Sequence, residues 1–337
     1  MPHIVDVHTH FGFANVGKKL GIPGDIYKAV KVGRNIVSSY AGLPAVGYAE
    51  IGDFDIQREV NEKAGVDKRI MSSGFTAETF SRETPKPPSE VSKVVNEEMA
   101  ELIARAPDRL YGMGTANALD KGCVAESERA MRQYGFKGIC CTTSWHGKFI
   151  DNEEAYPFWE WAEGTGAPIF LHPPRVPIGH DQQMDQYKLD ELVGRPFDTA
   201  MALARMILSG LFDRFPKLQL CIAHMGGGLL PVMGRLEFGW RLGCEGMPER
   251  AQIKCKDAPS SYLKRNIHVD TMGFWGPHVR EALEVFGPDR VMFGTDYGPV
   301  PLDPKEHIDI VKSMKLSPAD EDKVFWKNAS AFFKLGL

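Results

Sequence analysis

The chain lacks the long apolar runs and the clustered basic residues that define several large classes of protein. No apolar stretch approaches the roughly 20 residues that a membrane-spanning helix requires, and the N-terminal segment shows no features of a secretory signal. The 337 residues carry a net charge of −4 and contain no run of lysine or arginine that could track a nucleic-acid backbone. We therefore expect a globular protein that binds neither a membrane nor nucleic acid.

Cysteine is scarce, and its spacing is irregular. The six cysteines include the adjacent pair Cys140 and Cys141, but no two of them have the spacing of a CxxC motif. A secreted disulfide scaffold would need a denser and more regular set. This pattern favours reduced thiols in a cytoplasmic protein over a disulfide framework.

Eight short apolar segments, rich in Val, Ile, Phe, Cys or Met, predict strands that are buried on both faces. They are Ile4–His10, Lys68–Phe75, Leu110–Ala116, Phe136–Thr142, Pro168–His172, Leu218–His224, Asn266–Thr271 and Arg290–Asp296. Helical patterns lie between them, several with proline near the start or glycine just past the end. These helices are predicted at Val91–Arg105, Val124–Tyr134, Glu153–Glu163, Phe197–Leu208, Pro277–Val285 and Pro304–Met314.

Eight strands that alternate with helices predict an α/β fold of the (β/α)8 TIM-barrel type, formed by residues 1–337 as a single domain. The alternative is an open doubly wound sheet, which would require a glycine fingerprint after the first strand. The sequence His10-Phe11-Gly12-Phe13 is not such a fingerprint. Two long connections depart from the bare barrel. Residues 11–55 form an insertion or lid after the first strand, and residues 173–195 form an active-site loop after the fifth.

Histidine or aspartate ends four of the predicted strands. The first ends in His8-Thr9-His10, whose two imidazoles point to the same side because side chains alternate along a strand. The fifth, sixth and eighth strands end in His172, His224 and Asp296. The carboxyl ends of all barrel strands meet at one mouth, so these five side chains should converge. We expect them to form a metal site, since imidazole suits zinc and other transition metals.

Several longer segments, in order along nearly the whole chain, resemble the amidohydrolase superfamily, and more narrowly its aminocarboxymuconate semialdehyde decarboxylase branch. These segments are residues 5–10, 171–173, 206–218, 223–228, 290–297 and 327–333. The resemblance implies a set of ligands for one divalent metal, usually zinc, comprising His8, His10, His172 and Asp296. A site of this composition also binds manganese. In this family His224 would be the catalytic acid or base and not a ligand.

The segment after the fourth predicted strand indicates how many metal ions to expect. It reads Cys140-Cys141-Thr142-Thr143 and lacks the bridging lysine that binuclear relatives carry at this place. A single metal ion is therefore expected.

The resemblance also implies a homodimer in which Arg235 binds the substrate carboxylate, often across the subunit interface. Further candidates for substrate contacts follow the fourth and fifth strands or lie in the insertion. They are Trp145, His146, Arg175 and Arg34. A planar guanidinium suits this role because it can bind a carboxylate through two parallel hydrogen bonds.

These residues together predict a metal-dependent non-oxidative decarboxylase of a small unsaturated or hydroxylated aromatic carboxylic acid. Asp296 would orient a water molecule as well as bind the metal. Two alternatives use the same site: hydrolysis of an amide, ester or lactone, and hydration of a conjugated acid. A non-catalytic metal protein is disfavoured, since three histidines and one aspartate leave the open coordination position of a catalytic site.

Overall fold

The computed structural model describes residues 3–13, 15–23, 29–32, 35–40 and 43–337, so the candidate Arg34 lies outside the described residues. The strands are β1 (Val5–His10), β2 (Ala29–Val32), β3 (Asn35–Tyr40), β4 (Leu43–Tyr48), β5 (Lys68–Ser72), β6 (Leu110–Ala116), β7 (Gly138–Thr142), β8 (Ser144–Trp145), β9 (Lys148–Phe149), β10 (Ile169–His172), β11 (Leu220–Ile222), β12 (Ile267–Asp270) and β13 (Val291–Met292).

The helices cover the strands or connect them. They are α1 (Val16–Lys19), α2 (Phe54–Ala64), α3 (Thr76–Ser81), α4 (Pro88–Ile103), α5 (Cys123–Tyr134), α6 (Tyr156–Thr165), α7 (Arg195–Leu208), α8 (Leu211–Arg214), α9 (Leu229–Leu242), α10 (Pro259–Asn266), α11 (Gly276–Phe286), α12 (Pro304–Ser313), α13 (Pro318–Asp322) and α14 (Asn328–Phe332). Within the described residues, every helix is too short or too polar to span a bilayer.

Eight of the strands form one parallel sheet in the order β1-β5-β6-β7-β10-β11-β12-β13. The sheet closes between its first and last members. The backbone N–H of Val7 donates to the carbonyl of Phe293 at 3.0 Å, and the N–H of Asp296 donates to the carbonyl of His8 at 2.7 Å. Helices lie between successive strands along the chain, so the predicted (β/α)8 barrel is confirmed.

Apolar side chains fill both the interior of the barrel and the layer between strands and helices. Val5, Val7 and Phe170 belong to the interior cluster, whereas Ile139 and Ile169 pack with the surrounding helices. All five are fully buried. Because both faces of the sheet are covered, its strands read as near-continuous apolar runs. This is why the sequence reveals them.

Other elements are missing from the sequence-based prediction. The predicted insertion 11–55 contains the antiparallel sheet β2-β3-β4, and the helices α2, α9 and α10 were not predicted. Helix α9 illustrates the reason. Its residues Phe238 and Leu242 are exposed, with 56% and 70% of their surface accessible. The apolar residues of this helix therefore do not mark a single buried face, and the helical periodicity is obscured.

The loop of residues 173–195 is fixed to the barrel by a buried carboxylate at the start of α7. Asp198 accepts hydrogen bonds from the hydroxyl groups of Thr143 and Ser144, at 2.6 and 3.0 Å, and from the backbone N–H of Ile178 at 2.9 Å. Burial raises the pKa of Asp198, and these hydrogen bonds act in the opposite direction. The loop that follows β10 is thus tied to the residues that follow β7.

The contact between β7 and β10 leaves no room for a side chain at Gly138. A Cβ atom there would lie 2.8 Å from the backbone oxygen of Pro168, which also accepts the hydrogen bond from Ile139 N–H. We predict that Gly138→Ala lowers the free energy of unfolding by about 1–3 kcal/mol, as overpacked cores do. Urea denaturation of purified protein would measure this change.

A matched control is available at Gly164, an exposed residue near the end of α6. No atom lies within 4 Å of a Cβ built at this position. Gly164→Ala should therefore stabilise the protein slightly, by about 0.5–1 kcal/mol, because alanine loses less backbone entropy in a helix. Equal effects of the two substitutions would contradict the packing argument.

Candidate metal centre

Three histidine side chains meet at the carboxyl ends of β1 and β10. The Nε2 atoms of His8 and His10 lie 3.0 Å apart. The imidazole centroid of His172 is 5.4 Å from that of His8 and 4.6 Å from that of His10. All three residues are buried. The structure thus brings together the three histidines that the sequence predicts as ligands.

The contacts of each Nδ1 atom determine which nitrogen faces the site. His8 Nδ1 lies 2.5 Å from Oδ2 of Asp270, and His172 Nδ1 lies 2.8 Å from the carbonyl oxygen of Pro173. Both partners are acceptors, so Nδ1 carries the proton and Nε2 presents its lone pair. His10 Nδ1 lies 2.7 Å from the hydroxyl of Ser72, an arrangement compatible with the same tautomer. Metal-binding histidines are commonly oriented in this way.

Asp296 completes the cluster from the chain that follows β13. Its Oδ1 atom lies 3.3 Å from His8 Nε2 and 3.0 Å from His10 Nε2. The residue has a positive φ of 57°, a conformation that costs free energy outside glycine and recurs at functional sites. Burial alone would raise the pKa of Asp296, but the neighbouring imidazoles of His8, His10 and His224 lower it well below its usual value.

The close approach of the ligand-bearing strands depends on Gly294. A Cβ atom at this position would lie 2.9 Å from the Cβ atoms of both His8 and Asp270. A real Cβ atom cannot lie this close to another carbon atom, so only a residue without a side chain fits at position 294. Glycine at position 294 therefore allows β1, β12 and the segment before Asp296 to come together.

The donor atoms fit one divalent cation. Ligand atoms of His8, His172, His224 and Asp296 all lie within 4.8 Å of one another, and His10 Nε2 is 3.0 Å from Asp296 Oδ1. Burial lowers the pKa of His10 and of His172, which favours the neutral imidazoles that bind metal, whereas Asp296 and Asp270 raise the pKa of His8 against the effect of burial. Several lone pairs facing one another at this distance repel unless a cation lies between them. Nitrogen and carboxylate donors suit zinc and manganese.

His224 lies in a tight turn directly after β11 and Ala223. Its φ is 56°, and Met225 follows with a φ of 53°. The backbone N–H of Met225 donates to Oδ1 of Asp270 at 3.1 Å, which helps to hold this strained turn. His224 Nε2 lies 3.4 Å from Asp296 Oδ2, and its Nδ1 makes no hydrogen bond within the described residues. The imidazole thus lies beside the cluster with one ring nitrogen facing Asp296.

Asp270 contacts the site, and the sequence analysis did not select it. It accepts from His8 Nδ1 through one oxygen and from the N–H groups of Met225 and Met272 through the other. The signal was present, because Asp270 lies at the end of the predicted strand Asn266–Thr271. This predicted strand ends in Thr271, however, and not in a histidine or an aspartate.

A cavity of about 530 Å³ opens directly onto the cluster. Its walls combine apolar side chains with several charged and imidazole groups. The lining includes His172, His224, Asp296, Phe75, Arg195, Lys188, Glu191, Leu192, Met272, Phe274, His278, Val300 and Leu302. Arg195 was also missed by the sequence analysis, although it is the last residue of the predicted loop 173–195.

The predicted substrate-binding residues lie apart from the lining of this cavity. Arg235 is exposed on α9. Arg175 is buried, with Nη1 3.3 Å from Oδ2 of Asp190. Trp145 is buried on β8 and stacks against the exposed His146, with ring centroids 5.6 Å apart. A substrate contact by any of these four residues stays a prediction.

The role of Asp270 can be tested by titration with metal. We predict that Asp270→Asn weakens metal affinity by about 10- to 100-fold, because an amide is a poorer partner for His8 Nδ1 and Met225 N–H together. Competition against a fluorescent chelator would measure the affinity. Asp309→Asn, a change at an exposed carboxylate paired with Lys305, is the control and should leave it unaltered. Equal affinities in both variants would contradict the assignment.

Comparison with known proteins agrees with this geometry. The amidohydrolase family profile matches residues 5–335. The 2-amino-3-carboxymuconate-6-semialdehyde decarboxylase of Dictyostelium discoideum is 28% identical, over 99% of this chain and 91% of its own. The gamma-resorcylate decarboxylase of Polaromonas sp. strain JS666 is 27% identical, over 81% of this chain and 85% of its own.

A solved structure extends the comparison to the fold. The 5-carboxyvanillate decarboxylase from Novosphingobium aromaticivorans, complexed with manganese and 4-hydroxy-3-methoxy-5-nitrobenzoic acid, superposes with a TM-score of 0.80 at 24% identity. The match covers 98% of this chain and 96% of that one. The chain belongs to the amidohydrolase family, in the branch of aminocarboxymuconate semialdehyde decarboxylase that its sequence resembles.

Proposed function

We propose that the protein is a metal-dependent non-oxidative decarboxylase of a small unsaturated or hydroxylated aromatic carboxylic acid. The observation that carries this proposal is the cluster of His8, His10, His172, His224 and Asp296 at the mouth of an apolar cavity. The similarity to decarboxylases over most of the chain favours loss of CO2 over the addition of water.

The proposed cofactor is one divalent metal ion held by His8, His10, His172 and Asp296. Zinc is the first candidate. Manganese is the second, and the related carboxyvanillate decarboxylase structure contains it. When bound, the ion would polarise the substrate and stabilise negative charge that develops as CO2 leaves.

The side chains of this protein would then manage the proton. In the proposed reaction the bond between carbon and carboxylate breaks, CO2 leaves, and one proton is added to the same carbon. His224 and Asp296 lie close enough, with 3.4 Å between Nε2 and Oδ2, to pass a proton between them. Asp296 would hold the proton in position for transfer to the carbon, and His224 would then replace that proton. The apolar walls of the cavity would exclude bulk water from the developing charge.

The test is a screen of carboxylated phenols and muconate semialdehydes with metal-reconstituted protein, in which CO2 release is measured. We expect His224→Asn to retain the metal but to lose activity by about 100-fold or more, as expected for removal of a general acid or base. His3→Asn, at an exposed histidine, is the control.

Each other outcome has a clear meaning. Loss of bound metal in His224→Asn would make His224 a ligand, contrary to the assignment. Incorporation of water without CO2 release would overturn the decarboxylase proposal and favour a hydrolase or hydratase.

We further propose that the enzyme is a homodimer and that Arg235 contacts the substrate of the partner subunit. Arg235, Phe238 and Leu242 lie three to four residues apart on α9, so they share one face of the helix. Phe238 and Leu242 are exposed in the single chain, as are Phe197 and Met201 at the start of α7. Large apolar side chains that are exposed together on α7 and α9 support a subunit interface at this surface.

Complementation between two inactive variants tests this arrangement. Arg235→Ala should weaken binding of a carboxylate substrate by about 2–5 kcal/mol if a buried charge pair is lost. A mixed dimer of Arg235→Ala and His224→Asn subunits would contain one complete site. Random exchange should therefore restore up to about a quarter of wild-type activity. No recovery in a confirmed mixed dimer would show that Arg235 does not act across the interface.

The cysteines support a cytoplasmic location. All six are unpaired, and five of them are buried. Burial raises the pKa of Cys123 and of Cys140 to about 12. Such thiols remain protonated and unreactive, as is usual for structural cysteines in a reducing compartment.

A further inference from the structure

Three large apolar side chains are exposed where the cavity opens to solvent. Leu192, Phe274 and Leu302 all line the cavity, yet 63%, 40% and 45% of their surfaces are accessible. They come from three separate connections, which follow β10, β12 and β13. We call these three residues the apolar rim. Large apolar side chains that are exposed together at a cleft commonly mark a binding surface.

The end of the cavity at the metal cluster has the opposite character. His172 and Asp296 line this end, and both are buried. The lining thus changes from polar and buried at the cluster to apolar and exposed at the rim. Lys188 and Glu191 also line the cavity, but they pair with each other, with 3.7 Å between Nζ and Oε2. A ligand that matches this gradient has an acidic group at one end and an apolar group at the other.

The wall that carries Leu302 is stiff and is attached to the metal cluster. Pro299, Val300 and Pro301 line the cavity beside it, and the ring of each proline fixes its φ angle. The backbone N–H of Val300 donates to the carbonyl oxygen of Asp296 at 3.2 Å. A ligand that covers this wall therefore has little backbone freedom to remove, which lowers the cost of binding.

Phe274 is held from behind in a similar way. Its ring packs against the buried imidazole of His307, with 4.4 Å between the ring centroids. Two residues earlier, the N–H of Met272 donates to Oδ1 of Asp270 at 3.2 Å, and Asp270 also orients His8. Both apolar walls are thus fixed relative to the metal cluster. The fold therefore sets the distance between the acidic and the apolar groups of a matching ligand.

We propose that the substrate carries an apolar substituent opposite the carboxylate that leaves, and that the apolar rim binds this substituent. The volume of the cavity, about 530 Å³, is within the range of about 300–1,000 Å³ that drug-sized ligands occupy. A single unsubstituted ring at the metal would leave the rim in contact with water. The substrate class is thereby narrowed to aromatic acids with an alkyl or aryl substituent. This inference rests on the proposed function for the reaction at the metal, but the substituent takes no part in bond breaking.

Calorimetric titration of the metal-loaded protein compares benzoate with 4-pentylbenzoate. Neither acid carries the hydroxyl group that activates a ring for loss of CO2, so the titration measures binding alone. We expect the wild-type protein to bind the alkylated acid at least about tenfold more tightly, because each buried CH2 group adds to the affinity. Leu192→Ser and Leu302→Ser should each reduce this ratio by about threefold or more. Leu302→Met, which keeps the volume and the polarity, should retain it.

Leu337→Ser is the matched control, because Leu337 is also an exposed leucine but lies outside the cavity lining. Metal content and Tm of each variant separate a binding defect from a folding defect. A reduced ratio in either rim variant, with the ratio retained in the control, supports the proposal. Equal affinity of the wild type for both acids, binding of neither, an unchanged ratio in both rim variants, or an equal loss in Leu337→Ser would overturn it.

The two proposals fail in different ways. A preference for the alkylated acid that depends on the rim, without CO2 release from any acid, would refute the decarboxylase and leave the apolar subsite in place. Release of CO2 from hydroxylated acids, together with equal affinity for benzoate and 4-pentylbenzoate, would refute the apolar subsite alone.

Discussion

The contact between the first strand and the chain after the last one determines the geometry at the mouth of the barrel. Asp6 on β1 accepts from the hydroxyl of Thr295 at 2.6 Å and from its backbone N–H at 3.2 Å, across 289 positions of sequence. Burial raises the pKa of Asp6 to about 7, against the effect of these hydrogen bonds. The same contact brings the neighbours of these two residues, His8 and Asp296, onto one side of the closed sheet.

A second carboxylate, Asp270, links the two halves of the proposed chemistry. One oxygen orients His8, a predicted metal ligand, and the other holds the N–H next to His224, the predicted acid or base. The proposed metal ligand and the proposed acid or base thus share one buried side chain on β12. A movement of this strand would displace both groups together.

The sequence predicts the barrel and its five strand-end residues because both depend on local patterns. Continuous apolar runs indicate buried strands, and the polarity of a parallel barrel is enough to place His8 near Asp296. Residues that act through packing are harder to predict. Arg195 lies after a π-helical turn in a polar loop, and only the folded chain shows that Phe75 covers it. Helix α9 was also not predicted, because some of its apolar residues are exposed and they do not form a single buried stripe.

Gly294 has a consequence for how this enzyme can diverge. The residue carries no functional group, yet any side chain there would collide with the Cβ atoms of His8 and Asp270 and force them apart. The constraint at this position is one of space alone. New substrate preferences can arise by changes in the residues that line the cavity, such as Arg195, without altering the ligand-bearing strands. A constrained position in the site is therefore one that contributes nothing to the chemistry itself.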